Sequence, residues 1–143
     1  MQYRLEEDKI LVSLERGDEI LHSIYTVADE VDIKFGWING IGAAKNITLG
    51  SYPMEIKNYI KKEFKGEFEL TSLMGNISTK DGNPFVHIHA NISDEECNGY
   101  GGHLFSGTIT ATGELIIFLS NSVINREKSS NIGLYLWNLN EDN

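Results

Sequence analysis

Residues 18–50 read DEILHSIYTVADEVDIKFGWINGIGAAKNITLG, and the change of rhythm within them decides the architecture. In the first half Ile20, Leu21, Ile24, Val27, Ala28 and Val31 recur at helical spacing. Asp18 is placed to cap that helix, and Glu19 puts an acid in its first turn. From Phe35 onward the residues turn β-branched and aromatic, punctuated by glycine, which suits strands. Upstream, Ile10, Val12 and Leu14 alternate with Leu11, Ser13 and Glu15, so residues 3–16 read as a strand ended by Gly17. Downstream come NYIKKEFKGEFELTSLMGNIS (58–78) and PFVHIHANIS (84–93), joined by the tight-turn pair Asp81-Gly82. An acidic loop, DEECNGYGGH (94–103), then leads to three more strand candidates, LFSGTITATG (104–113), ELIIFLSNSV (114–123) and IGLYLWNL (132–139). One strand, one helix and then many strands imply an α+β fold, a mostly antiparallel β-sheet packed with one main helix. A closed or half-closed, barrel-like sheet remains an alternative, and the closing NEDN (140–143) reads as a frayed tail.

The bulk composition narrows the function. A chain of 143 residues, 41% hydrophobic and 23% charged, suits a single domain over residues 1–143. Its formal net charge of −9 repels a phosphate backbone, which disfavours direct nucleic-acid binding. The lone Cys97 has no partner for an intrachain disulfide. The N-terminal MQYRLEEDKILVSLERGDE has neither the apolar core of a signal peptide nor the roughly 18 apolar residues of a membrane span. The expectation is a cytoplasmic protein with no membrane association.

Chemistry concentrates in one place, since three of the four histidines fall within 17 residues. On a strand, Val86, Ile88, Ala90 and Ile92 share the core face, so Phe85, His87, His89 and Asn91 project from the other. Imidazoles two residues apart start about 7 Å from each other along the backbone and can converge on one ion. His103 supplies a third, reached through Gly99, Gly101 and Gly102, whose missing side chains permit unusual backbone angles. Three neutral imidazoles suit a divalent metal and leave a coordination position open; the competing reading is that strand histidines simply pack and hydrogen-bond. Other residues read more plainly. His22 is an ordinary helix-surface side chain, and Cys97 an unpaired loop thiol. Lys57, Lys61, Lys62 and Lys65 are interleaved with Glu55, Glu63, Glu67 and Glu69 as a solvated face, and Gly40-Ile41-Gly42 marks close-packed backbone.

The segments GWINGIGAAKNITLG, GEFELTSLMGNIS, DGNPFVHIHANISD, GYGGHLFSGTITATGELII and GLYLWNL stand in an order and spacing that resemble the PPC domain. This is the plants-and-prokaryotes conserved domain, also called DUF296, and the resemblance covers about residues 3–139. It implies a compact α+β protomer assembled as a homotrimer. It also implies that His87, His89 and His103 form a metal site; among zinc, nickel, iron and copper, which three imidazoles suit, zinc is the expected ion. Glu114 matches a position where the family often carries an acid, which makes it, with Asn91, Gly101 and Gly102, a candidate neighbour of that site. The resemblance supplies no reaction, so a small-molecule ligand and a protein partner both remain open. Plant relatives carry basic AT-hook segments and act as nuclear regulators, hence the DNA-binding label of many prokaryotic members, but no Arg-Gly-Arg stretch occurs here. A transcription-associated scaffold is therefore the second functional reading. A cupin-like barrel is the alternative fold, although ANISDEE places its acids poorly for the glutamate that cupins add after their HxH pair.

Overall fold

The computed structural model describes residues 1–140, so most of the expected tail, residues 141–143, lies outside the described residues. The chain runs β1 (Gln2–Leu5), β2 (Lys9–Glu15), α1 (Ile20–Val31), β3 (Gly36–Ser51), β4 (Ile60–Lys80), β5 (Asn83–Ser93), β6 (Gly99–Leu119), β7 (Asn125–Lys128) and β8 (Tyr135–Asn138). One sheet holds all the strands in the order β1-β2-β6-β3-β4-β7-β8, with β5 pairing both β4 and β6. Pairing from β6 through β3, β4 and β5 back to β6 makes a partial ring, from which β1–β2 and β7–β8 extend outward. Every ladder is antiparallel except the single parallel bridge Thr79↔Asn125. The α+β reading is thus the observed fold. Among the described residues no helix is long and apolar enough to cross a membrane.

Several boundaries differ from the sequence reading, each for a local reason. Residues 3–16 are a hairpin and not one strand, because Glu6 N–H bonds back to Lys9 O and turns the chain. The two candidates 104–113 and 114–123 merge into one long strand that ends at Leu119, since Gly113 stays paired, opposite Leu14 on one side and Gly42 on the other. Half of the expected acidic loop is also strand, as β6 begins at Gly99. β7 has no alternation to betray it and was not foreseen. The Asp81-Gly82 turn is as expected, with both residues at positive φ (50° and 80°), the backbone of a two-residue hairpin.

Helix α1 forms where its spacing places it, burying Ile20, Ser23, Ile24, Val27 and Ala28. Its cap is Glu19 and not Asp18: Glu19 Oε2 accepts from His22 N–H at 2.7 Å, while Oε1 accepts from Gly107 N–H and ties the helix to β6. Asp18 is drawn off to Glu15 N–H and the terminal amine of Met1, at 2.7 and 2.8 Å. At the other end Asp32 takes the left-handed conformation and its N–H caps the carbonyls of Ala28 and Asp29. The helix covers the inner face of the sheet, where Ile10, Leu14, Ile38, Ile77, Ile88 and Ile117 are essentially inaccessible. Each such side chain contributes about 1.5–3 kcal/mol by leaving water. Among the described residues no helix covers the outer face.

Candidate metal centre

Alternation along β5 sends Val86, Ile88, Ala90 and Ile92 into the core and turns His87 and His89 outward. His87 stands opposite Asn76 of β4, and His89 stands between Met74 of β4 and His103 of β6. The β5–β6 register comes from the short loop between them. Asp94 Oδ1 accepts from Asn98 and Glu96 N–H at 2.8 and 3.1 Å, and these bonds, that from Asn98 foremost, hold its carboxyl below the usual range. Cys97 sits exposed in that loop at positive φ, apart from the histidines. A one-residue slip here would turn His103 to the wrong face.

The three rings meet with centroids 5.2 Å apart for His87–His89 and His87–His103 and 5.6 Å for His89–His103. One nitrogen from each lies within 4.8 Å of the others. A tetrahedral ion with bonds of about 2.0–2.1 Å brings such atoms to roughly 3.4 Å, a closure that small ring rotations supply. His89 is exposed and free to swing, whereas His87 and His103 are half-buried. The Nδ1 atom of His103 is buried with no hydrogen-bond partner among the described residues. An orphaned nitrogen of this kind costs about 1–3 kcal/mol, which a metal bond would remove. The donor set therefore fits a divalent ion.

Burial pushes the imidazoles of His87 and His103 down to about 4, helped by the charge of Arg126 at His87 and by the neighbouring histidines and Lys61 at His103. Both rings are then neutral ligands at neutral pH. The same depression links stability to pH. The unfolded chain takes up protons near pH 6.5 that the folded rings refuse until about 4, so the stability these two rings contribute to the metal-free protein is complete above 6.5 and is lost as pH falls through that window. Urea titrations with chelator at pH 7.5 and 4 are expected to differ by about 3 kcal/mol, allowing for partial exposure of the rings. A loss smaller by about that amount in His87→Ala/His103→Ala protein marks these rings as its cause; an equal loss without them would reject that assignment.

An aromatic wall flanks His103, with Phe105 at 4.7 Å and Tyr59 at 5.0 Å between ring centroids. Beyond His87, Arg126 lies 4.7 Å over the Phe85 ring and bonds Asn76 and Ser78. Asn91 continues the histidine face, with its amide nitrogen bonded to Ser72 Oγ at 2.9 Å. Gly101 leaves room for the Asn91 side chain and Gly102 for the backbone of Gly50. Glu114 is not one of the three-histidine group: it pairs with Ser13 and Ile41, eleven residues along β6 from His103, and shares a trough with Met74, the partner of His89. Sequence reasoning missed Tyr59, Phe105 and Arg126. The last is one of only three arginines, but its partners are remote in sequence.

Residues 1–121 match the Plants and Prokaryotes Conserved (PCC) domain; the closing GLYLWNL lies beyond them. No curated protein matches the chain significantly. Among solved structures, a Bacteroides thetaiotaomicron protein with a provisional DNA-binding label superposes with a TM-score of 0.94, at 28% identity over 98% of each chain. A plant- and prokaryote-conserved protein of Pyrococcus horikoshii gives 0.86 at 35% identity, covering 98% of this chain and 96% of its own. A protein of Archaeoglobus fulgidus described as metal-containing gives 0.84 at 34% identity, covering 95% and 96%. On the domain match and these two relatives, the chain belongs to the plants-and-prokaryotes conserved family.

Proposed function

We propose that this protein is a homotrimeric metalloprotein in which His87, His89 and His103 hold a divalent ion, zinc by preference, and leave one position open to a small-molecule ligand. The convergence of three imidazoles, with neither carboxylate nor thiol in the group, carries this reading. Nitrogen-only ligation by neutral rings suits zinc, and three protein ligands are the pattern of an open site and not of a closed structural one. When bound, the ion would polarise an oxygen in the open position. The chain's own part is to hold the rings neutral and to screen them with Tyr59 and Phe105. Plasma mass spectrometry on untagged protein purified without chelators tests the reading: about one equivalent of metal per chain supports it, and none, with no measurable zinc affinity, rejects it.

The assembly part rests on the uncovered outer face. Trp37 (39% exposed), Ile41 (55%), Met74 (49%) and Phe118 (43%) align there across β3, β4 and β6, and beside them lies an open trough of about 1000 Å³. Apolar faces of this kind mark interaction surfaces, and closed rotational symmetry buries them without leaving a free edge. Met74 stands opposite His89, so the face runs into the metal site and would couple the two. Ile41→Asp is expected to shift the light-scattering mass from trimer toward monomer at micromolar concentration. A wild-type monomer would reject the assembly.

The second reading, a DNA-associated module working through protein partners, draws on the label of the Bacteroides relative. A net charge of −9 opposes direct contact with nucleic acid. Gel-shift titration at low salt is expected to show no retardation; retardation there would favour this reading.

A further inference from the structure

Two cations flank the three-histidine cluster, and neither is ion-paired among the described residues, although acids outnumber bases 21 to 12 in the chain. Arg126 is only 9% exposed. Its Nε donates to Ser78 Oγ at 2.6 Å, Nη1 to Tyr135 O at 2.7 Å and Nη2 to Asn76 Oδ1 at 2.9 Å, all neutral acceptors. Asn76 and Ser78 are the cross-strand neighbours of His87 and Phe85, so these bonds seat the guanidinium beside His87. A guanidinium has five N–H groups, and three are used. Leaving a buried charge without a counter-charge costs several kcal/mol, and neutral hydrogen bonds offset only part of it.

Lys61 approaches from the opposite flank. It faces Gly50, which faces His103, so the three lie in one row across β4, β3 and β6. Its Nζ rests 3.8 Å from the centroid of Phe105, the ring that packs on His103. Adding a divalent ion to three neutral rings would raise the local positive charge further, with no carboxylate in the ligand group to balance it.

We propose that the three-histidine site binds a small oxyanion, a carboxylate or a phosphate, with one oxygen in the metal's open position and its charge met by Lys61 and Arg126. The proposal rests on the metal reading above and adds the ligand class. The planar guanidinium favours a ligand with two oxygens in one plane, and the lysine adds a point charge that tolerates either geometry.

The test uses the full chain loaded with cobalt(II), whose visible spectrum reports changes in its ligands. Acetate, inorganic phosphate and the neutral acetamide are titrated at constant ionic strength, with cobalt stoichiometry measured separately. Acetate or phosphate is expected to bind at least tenfold tighter than acetamide, and the better of the two identifies the oxyanion. In Lys61→Met and Arg126→Gln that affinity should fall at least fivefold while cobalt stays stoichiometric. Lys61 is exposed, so its variant keeps the fold even if the arginine variant does not. Equal binding of acetate and acetamide, or unchanged anion affinity in Lys61→Met, overturns the proposal. If cobalt does not bind, the metal reading fails alone, and calorimetric titration of the metal-free chain with phosphate decides: binding that Lys61→Met weakens upholds the cation pair, and no heat overturns it.

Discussion

Alanine at His89 is expected to weaken zinc binding by at least about 100-fold while leaving the metal-free fold untouched. The first half follows from the ligand count, since removing even an outer-shell partner of a metal-bound histidine costs 10–100-fold, and His89 would be a ligand. The second half follows from exposure. His89 is the exposed member of the trio, and surface truncations away from packed features usually stay within about 0.5 kcal/mol. Thermal melts separate the two effects. With zinc at 100 times its dissociation constant, wild type gains about 2.7 kcal/mol over chelated protein, and His89→Ala should gain almost nothing. Chelated melts of the two proteins should coincide. Equal zinc content in both proteins would show that His89 does not ligate.

Gly75→Ala is expected to cost about 2–4 kcal/mol, a fall in melting temperature of roughly 10 °C for a chain of this size. Gly75 faces Ile88 across the β4–β5 ladder. A Cβ there would run into the carbonyl oxygen of His87 and come within 2.8 Å of Ile88 Cα, both backbone atoms that cannot turn aside as a side chain can. The two strands would have to separate, and His87 rides on the one displaced. Zinc affinity should therefore fall as well, although Gly75 touches no ion. Ala90→Gly, on the same strand, gives the contrast: it loosens β5 without forcing it outward and should disturb stability more than zinc affinity. An unchanged melting temperature in Gly75→Ala would mean that β4 and β5 are not packed this closely.

The histidine face was legible because a strand has a period of two. Once Val86, Ile88, Ala90 and Ile92 claim the core, His87 and His89 have nowhere to go but outward. Helix α1 was legible for the analogous reason at a period of 3.6, and the Asp81-Gly82 turn because few residues accept two positive φ angles in succession. The helix cap was not, since Asp18 and Glu19 are both acids and the choice turned on a remote amine and on Gly107 of β6.

Local order along the chain therefore settled the elements, the face each presents and the identity of the three imidazoles, because alternation and helical spacing act between near neighbours. Their meeting was a matter of three-dimensional pairing. His103 reaches His89 only through the β5–β6 register, and Arg126 reaches His87 only because Asn76 and Ser78, 50 and 48 residues away, accept its hydrogen bonds. Contacts at such separations depend on which strands lie side by side, and a period of two or 3.6 carries no information about that.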